Sequence, residues 1–325
     1  MNDRSALFVP RDIGFKWRLK DFYFTAIIHL FCLGEWLMGP IAVAWLAWPA
    51  ILLDWINRRR DYAQFVRLRG GLPSAFWKGL APARHYFQMV RTWQEVIGVS
   101  FTYHRWGLPR WQRRFRVTGT PPQQLPEWGQ RPVILAFLHT SSFALVHYWM
   151  RSQGVPAAIL LMGVPAEAKN TLYKKNLEKG DARFGVEGIP LNFHAMKEIR
   201  EAIRFLQPGR VLVVALDGVR GTKETYPYHA GPFPIRVKEG ACRIGAQTNA
   251  IIVPVEFTRV GACRYDVRFG KPVPDELIRS DNFNAATQHL VSELWPEIEK
   301  KPGILNWTTL EALVPALKAK RIGWP

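Results

Sequence analysis

Residues 132–139 read PVILAFLH: a proline, six apolar residues and a histidine. A run this short and this continuously apolar fits a strand buried on both faces, the kind found in parallel sheets covered by helices. The same form returns at 157–163, AAILLMG, and at 210–217, RVLVVALD, which closes on an aspartate. Between these two lies a helix-patterned segment, AMKEIREAIRFLQPG at 195–209. IIVPVEFTRVG at 251–261 and RYDVRFGKPV at 264–273 read as further strands, and FNAATQHLVSELWPEIEK at 283–300 as a helix. This alternation predicts an α/β fold, in which ligands collect at the C-terminal ends of the strands. His139 and Asp217 both stand at such ends.

General-base catalysis is the chemistry that a histidine and a carboxylate offer. An imidazole has an unperturbed pKa near neutrality and can take the proton of an attacking hydroxyl. A carboxylate on its far nitrogen fixes the tautomer and stabilises the imidazolium. Taken alone, His139 equally fits a core histidine closing a strand, and Asp217 a turn cap paired with Arg220. Around Asp217 the sequence is LDGVRGT, 216–222. Gly218 lets the backbone approach a ligand, and Arg220, with Lys223 assisting, suits an anionic group. In KEGACRIGAQTNAIIVPV, 238–255, Gly240-Ala241 opens a helix, Gly240 allows close packing near a pocket, and Pro254 marks the end or edge of a strand. His147, eight residues after His139, fits the core equally well. Ser141 and Ser142 lack a Gly-x-Ser-x-Gly elbow, and no phosphate-binding glycine loop follows a strand, which argues against a serine hydrolase and against nucleotide binding.

The 325 residues are 48% hydrophobic, enough for one large domain with a modest appendage. Lys and Arg total 44 against 26 Asp and Glu, a net charge of +18. Such an excess implies an anionic partner: lipid headgroups, an acidic carrier protein or nucleic acid. Fourteen tryptophans favour a membrane surface over nucleic acid, because indole is served by a boundary between apolar and wet layers. Cys32, Cys242 and Cys263 form no Cys-x-x-Cys or Cys/His cluster. Neither a metal site nor a disulfide framework is expected, and a reduced cytosolic face is the plain expectation.

Residues 22–53 are apolar over a length that can cross a bilayer, but His29, Glu35 and Gly39-Pro40 interrupt them. A tilted span over 36–53, a hairpin turning within one leaflet at Gly39-Pro40, and two buried helices of a soluble core all fit. Basic residues on both flanks, Lys16, Arg18, Lys20 and Arg58-Arg59-Arg60, suit the hairpin with both ends on the cytosolic leaflet. ARHYFQMVRTWQEVIGVSF at 83–101 is spaced as one helix, and YHRWGLPRWQRRFRVTG at 103–119 interleaves aromatics with arginines. The second segment reads either as a solvated loop or as a patch with rings in the headgroup layer and guanidinium groups on phosphates. The expected organisation is a membrane-associated segment over 1–60, a helical and basic/aromatic interfacial region over 61–130, and an α/β core with C-terminal helices over 131–325.

The order of the blocks (His139 closing a strand, LDGVRGT, then KEGACRIGAQTNAIIVPV) resembles the glycerophospholipid acyltransferase superfamily and, within it, the bacterial lipid A late acyltransferases. The resemblance covers residues 131–274. It implies a glycerol-3-phosphate acyltransferase-like α/β fold, a mixed sheet flanked by helices, behind an N-terminal hydrophobic membrane-anchoring segment. It implies an enzyme that moves a fatty acyl group from an acyl carrier protein or coenzyme A thioester to a lipid or amphipathic acceptor. No cofactor and no metal would be needed. The partners would be membrane lipids and the thioester donor rather than nucleic acid, at the cytoplasmic face of the inner membrane. His139 would be the base, and Asp217 would orient it or hold the acceptor. Arg220, Gly218, Lys223 and Gly240 would bind substrate. AGPFP at 230–234 is similar to the family's Phe and Gly segment before the next helix.

The sequence departs from the family pattern twice. That pattern is His-x-x-x-x-Asp/Glu, and Ala144 stands where the acid belongs. GVEGIPLNFHAMKEIREA, 185–202, offers Asn192 where the family usually has an arginine. Three accounts of the missing acid are open: Asp217 supplies the carboxylate from a neighbouring strand end, the histidine works without a charged partner, or acyl transfer is lost. The last makes the chain a catalytically degenerate homologue that binds lipid or a partner protein.

Overall fold

In the computed structural model the described residues are 15–57, 59–140, 142–161, 169–195, 197–218, 225–280 and 282–314. Among them the strands are β1 (Phe115–Thr118), β2 (Val133–Phe137), β3 (Ala157–Leu161), β4 (Asn192–His194), β5 (Val211–Ala215), β6 (Tyr226–Ala230), β7 (Phe233–Val237), β8 (Ile251–Gly261) and β9 (Arg264–Phe269). The helices are α1 (Phe15–Met38), α2 (Ile41–Asn57), α3 (Arg59–Arg69), α4 (Pro82–Phe101), α5 (Pro109–Gln112), α6 (Val146–Ser152), α7 (Thr171–Phe184), α8 (Ile199–Phe205), α9 (Gly240–Thr248), α10 (Asp275–Arg279), α11 (Phe283–Lys300) and α12 (Trp307–Leu313).

Seven strands form one sheet in the order β1-β9-β8-β2-β5-β3-β4. Every pairing is parallel except β8 with β9. The sheet is therefore mixed but mainly parallel, and helices flank it. The central strands show why their sequences are apolar at every position. In β2, Val133, Leu135 and Phe137 join one hydrophobic cluster, while Ile134 and Ala136 join another. Alternate side chains point to opposite faces of a strand, so both faces are dry and neither tolerates a polar residue.

Strands form within the predicted stretches 132–139, 157–163, 210–217, 251–261 and 264–273, mostly shorter at their ends, with Met162 and Gly163 lying outside the described residues. The helix expected over 195–209 is shorter, Ile199–Phe205, because Gln207-Pro208-Gly209 leads straight into β5. Pro254 does not end its strand. It lies inside β8, opposite Ala136 of β2. Its carbonyl accepts from Gly270 just past β9, and N–H and C=O of one strand residue face the same side. The missing donor therefore faces Gly270, at the very end of the β8–β9 pairing, so the proline costs only the last reciprocal bond of that ladder. AGPFP forms the turn of the separate antiparallel pair β6–β7. Gly231 takes φ 56° there, and a Cβ on it would sit 2.5 Å from the Trp295 indole nitrogen, so only glycine fits.

α1 and α2 form a helical hairpin that turns at Gly39, φ 74°. Gly34 and Gly98 allow its close packing: a Cβ at Gly34 would lie 2.6 Å from Leu46, and one at Gly98 2.7 Å from Phe31 of α1 and 2.8 Å from Val43 of α2. One side of the hairpin, including Ile28, Phe31, Val43, Ala47 and Ile51, is buried against α4 and the core. The other side is apolar and exposed: Phe22, Leu33, Trp36, Leu37, Met38 and Trp45 are all more than half exposed. Among the described residues no helix is long and apolar enough to cross a membrane. A turn at 39 and 40 interrupts the tilted span expected over 36–53, and the two helices are buried on one side only.

The segment 103–119 also departs from expectation. Tyr103, Trp106 and Trp111 are essentially fully buried, so their rings are not available to a headgroup layer. Trp106 stacks on Trp111, and both lie against Phe115. Arg110 lies 2.8 Å from the buried Glu35 carboxylate, and Arg105 holds its other oxygen. A buried carboxylate needs such partners, so these two arginines serve the interior.

Candidate active site

The site follows from the register of two neighbouring strands. β2 and β5 are parallel, with Phe137 opposite Ala215. Leu216 N–H donates to Phe137 O, 2.9 Å, and carries the ladder past the strand ends. His139 and Asp217 each stand two residues beyond the last pair. They therefore emerge side by side at the C-terminal edge of the sheet.

His139 Nδ1 lies 2.6 Å from Asp217 Oδ1. The His139 peptide N–H also donates to the carboxylate, 3.0 Å to Oδ2 and 3.2 Å to Oδ1. Asp217 is fully buried, whereas the His139 side chain is 18% exposed. Burial pushes the Asp217 carboxyl up. The facing imidazole and the hydrogen bonds from His139 and Thr309 outweigh it, so its pKa lies below the usual carboxylate value. The carboxylate is thus ionised at neutral pH. With Nδ1 committed to Asp217, Nε2 is the nitrogen left for a substrate proton. The ring packs edge-on against Phe143, 4.4 Å between centroids, and against Phe137, 5.4 Å. Phe143 in turn stacks on Trp93 of α4. An apolar aromatic wall beside the base suits an acyl chain better than a charged substrate.

The C-terminal segment closes the far side. Thr309 of α12 donates its hydroxyl to Asp217 Oδ2, 2.5 Å, and lies 2.9 Å from His139 O. Asn306 N–H reaches His139 O at 3.3 Å, and Thr140 makes an isolated antiparallel bridge to Leu305. Sequence reasoning did not find Thr309, which is 92 residues from Asp217 and 170 from His139. A threonine in an apolar helix carries no signal of its own.

The other candidates divide. Gly218 follows Asp217, and a Cβ on it would meet nothing within 4 Å among the described residues, which leaves the backbone open to a ligand on their side. Gly240 opens α9 as expected, but a Cβ there also meets nothing within 4 Å among the described residues. Its expected role in close packing is corrected: no described residue packs closely against it. Lys238 N–H donates to Leu216 O, 2.9 Å, which ties the chain just before Gly240 to the residue just before Asp217. Arg220 and Lys223 lie outside the described residues. Asn192 opens edge strand β4, three strands across from β2, roughly 14 Å away at about 4.8 Å per strand. His147 is buried on α6; burial first, then Arg151, pushes its pKa down to about 3. That is a core histidine. Among the described residues no group of His, Cys, Asp and Glu is arranged to hold a metal ion.

The model of the family described as bacterial lipid A biosynthesis acyltransferase matches residues 83–310. That match takes in β2, β5, the His139–Asp217 pair and Thr309. Among solved structures, the 1-acyl-sn-glycerophosphate (LPA) acyltransferase PlsC from Thermotoga maritima is similar at 14% sequence identity. The match covers 71% of this chain and 97% of that one, with a TM-score of 0.33. No curated protein sequence matches. Spanning well over half of the 325 residues, the family match shows that the chain belongs to the bacterial lipid A biosynthesis acyltransferases.

Proposed function

We propose that the protein transfers a fatty acyl group from an acyl carrier protein or coenzyme A thioester to a hydroxyl of a lipid or other amphipathic acceptor, with His139 as general base. The observation that carries this reading is the 2.6 Å contact between His139 Nδ1 and the buried Asp217 carboxylate. It answers the absence of an acid at Ala144: the partner comes from the next strand instead of the next helical turn. Nε2 would take the acceptor's O–H proton as its oxygen attacks the thioester carbonyl. The tetrahedral intermediate would then collapse with C–S cleavage. The leaving thiolate would take the proton from the imidazolium, which Asp217 stabilises throughout.

The apolar outer face of α1 and α2 supports membrane association. An apolar helix face needs an apolar environment, and the exposed faces of α2 and of the C-terminal part of α1, with Leu33, Trp36, Leu37, Met38 and Trp45, have none among the described residues. As a monotopic hairpin in the cytosolic leaflet of the inner membrane, the two helices would have these faces covered by lipid. Lys175, Lys179 and Arg183 stand exposed at four-residue spacing on α7, and such a stripe suits an acidic carrier or a phosphate-bearing donor. Arg220 and Lys223 would bind an anionic group of the acceptor, beside the open backbone at Gly218 and Gly240.

The test is to incubate detergent-solubilised protein with acyl-carrier and coenzyme A thioesters and total lipid extract, following products by mass spectrometry. His139→Ala should abolish the product, and Asp217→Asn should slow it at least about a hundredfold. Equal turnover by folded His139→Ala would remove this histidine from the mechanism. The alternative, a lipid- or partner-binding homologue without activity, rests on the missing acid and on Asn192 in place of an arginine; the His139–Asp217 contact weighs against the first and leaves the second standing.

A further inference from the structure

Asp217 is a carboxylate with no access to water, and donors hold both of its oxygens. Oδ1 faces the imidazole at 2.6 Å and the His139 peptide N–H at 3.2 Å, while Oδ2 has that N–H at 3.0 Å and, at 2.5 Å, the Thr309 hydroxyl, whose other near acceptor is His139 O at 2.9 Å. Rotation of the carboxylate about its Cβ–Cγ bond would break the bond to Nδ1. A short donor on the second oxygen opposes that rotation. Thr309 is itself fully buried, and a buried hydroxyl is costly unless it is bonded.

The segment that carries Thr309 is anchored for this task at several points. Asn306 caps α12, its Oδ1 accepting from Thr308 N–H at 2.8 Å and Thr309 N–H at 3.3 Å. The Asn306 peptide N–H reaches back to His139 O. One residue earlier, Leu305 bridges Thr140, and its carbonyl faces His85 Nε2 of α4 at 3.0 Å. The strap is thus fixed to the residues on both sides of the His139 peptide bond and to α4 behind it.

We infer that Thr309 is a positioning residue, the third member of a His139–Asp217–Thr309 arrangement, and that the C-terminal strap is part of the catalytic apparatus. The role rests on His139 acting as base. The carboxylate has moved from position 144 to the end of β5, and a hydroxyl from α12 holds it in place there. Thr309 touches no substrate; it acts through Asp217.

The experiment compares Thr309→Val, which keeps the shape and removes the hydroxyl, with Thr309→Ser, which keeps the hydroxyl and removes a methyl. Thermal unfolding establishes that both are folded. Turnover of an acyl thioester with total lipid extract should fall about tenfold in Thr309→Val, the loss expected for one hydrogen bond to a charged group. KM should stay within about twofold, and Thr309→Ser should stay within about threefold of wild type. Without the hydroxyl the carboxylate becomes more basic and favours the imidazolium more strongly. The acid limb of the pH–rate profile should therefore move to higher pH in Thr309→Val. Wild-type turnover and an unmoved limb in Thr309→Val would overturn the inference, as would Thr309→Ser falling as far as Thr309→Val.

A second measurement needs no turnover. In protein carrying 15N-labelled histidine, the His139 resonance is assigned by its loss in His139→Gln. Its titration should move upward in Thr309→Val and not in Thr309→Ser. If no thioester is consumed by any variant yet the titration moves this way, Thr309 positions the pair and the proposed reaction is wrong. If wild type consumes thioester and His139 titrates identically in all three proteins, the reaction stands and Thr309 has no part in it.

Discussion

At the level of single residues, Ala144 leaves no acid on the helical turn after His139, and the carboxylate that contacts the His139 ring, at 2.6 Å, is Asp217 from the neighbouring strand. An acid five residues after a histidine shares its helix face. An acid at the end of the adjacent parallel strand reaches the same ring nitrogen from the side. The consequence separates two variants. Asp217→Asn keeps the side chain's shape and can still accept a hydrogen bond, but it cannot stabilise an imidazolium. It should bind thioester as tightly as wild type while losing turnover. His139→Ala should lose turnover completely, both read from initial rates over a range of donor concentrations. His139, Asp217 and the glycines beside the site could be chosen from sequence because each sits at a strand end or helix start. Thr309 could not, because nothing local distinguishes it from a threonine that merely packs.

Among the elements, the hairpin α1–α2 is the one whose two sides make opposite demands. Its inner side depends on close approach. Gly98→Ala would push a methyl group to 2.7 Å from Phe31 and 2.8 Å from Val43. Thermal unfolding should show a loss on the order of 1–3 kcal/mol, as for other overpacked sites. Its outer side should matter for membranes and not for folding. Replacing Trp36, Leu37 and Trp45 by serine should leave the unfolding temperature within a few degrees of wild type. Flotation with vesicles of bacterial lipids should show binding reduced by about tenfold or more, since each buried large side chain contributes about 1.5–3 kcal/mol. Unchanged flotation would remove this face as support for membrane association. The neighbouring 103–119 segment shows how composition misleads. Arginines interleaved with aromatics suit a lipid surface equally well, but here the rings fill the interior and two of the arginines neutralise Glu35.

For the whole molecule, the strongest pH dependence should lie on the acid side. Burial pushes His85 and His104 down to about 4 and His147 to about 3. These imidazoles are neutral when folded, whereas the unfolded chain protonates them near pH 6.5. Their contribution is complete above that pH and is lost as pH falls toward 4. Glu256 works in the opposite sense: burial pushes it up to about 7, so its contribution is present at low pH and fades as pH rises through 7. Burial pushes Glu35 and Asp181 up in the same sense as Glu256, while Asp217, Asp275 and Glu297 are held down and lose their contribution as pH falls, as the three imidazoles do. The unfolding temperature should therefore drop steeply between pH 6 and 4, and His147→Gln, which cannot take a charge, should flatten part of that fall. A flat profile from pH 7 to 4 would show that these histidines are solvated in solution.

Sequence alone determined the central strands, because continuous apolar runs of five to eight residues can be buried only on both faces of a covered sheet. It also placed a histidine and an aspartate at two strand ends, but left the N-terminal apolar run open between a span over 36–53, a hairpin turning at Gly39-Pro40 and two buried helices; the turn at Gly39, φ 74°, came from the tertiary structure. Only the tertiary structure decided which strands are neighbours. β2 lies beside β5 in a register offset of 78 residues, the same separation that divides His139 from Asp217. No local pattern encodes that offset, because the two strands are joined through β3, β4 and the helices between them, and their pairing depends on how all of these pack. The same holds for Thr309, which reaches the site only because the C-terminal strap folds back across the ends of β2 and β5.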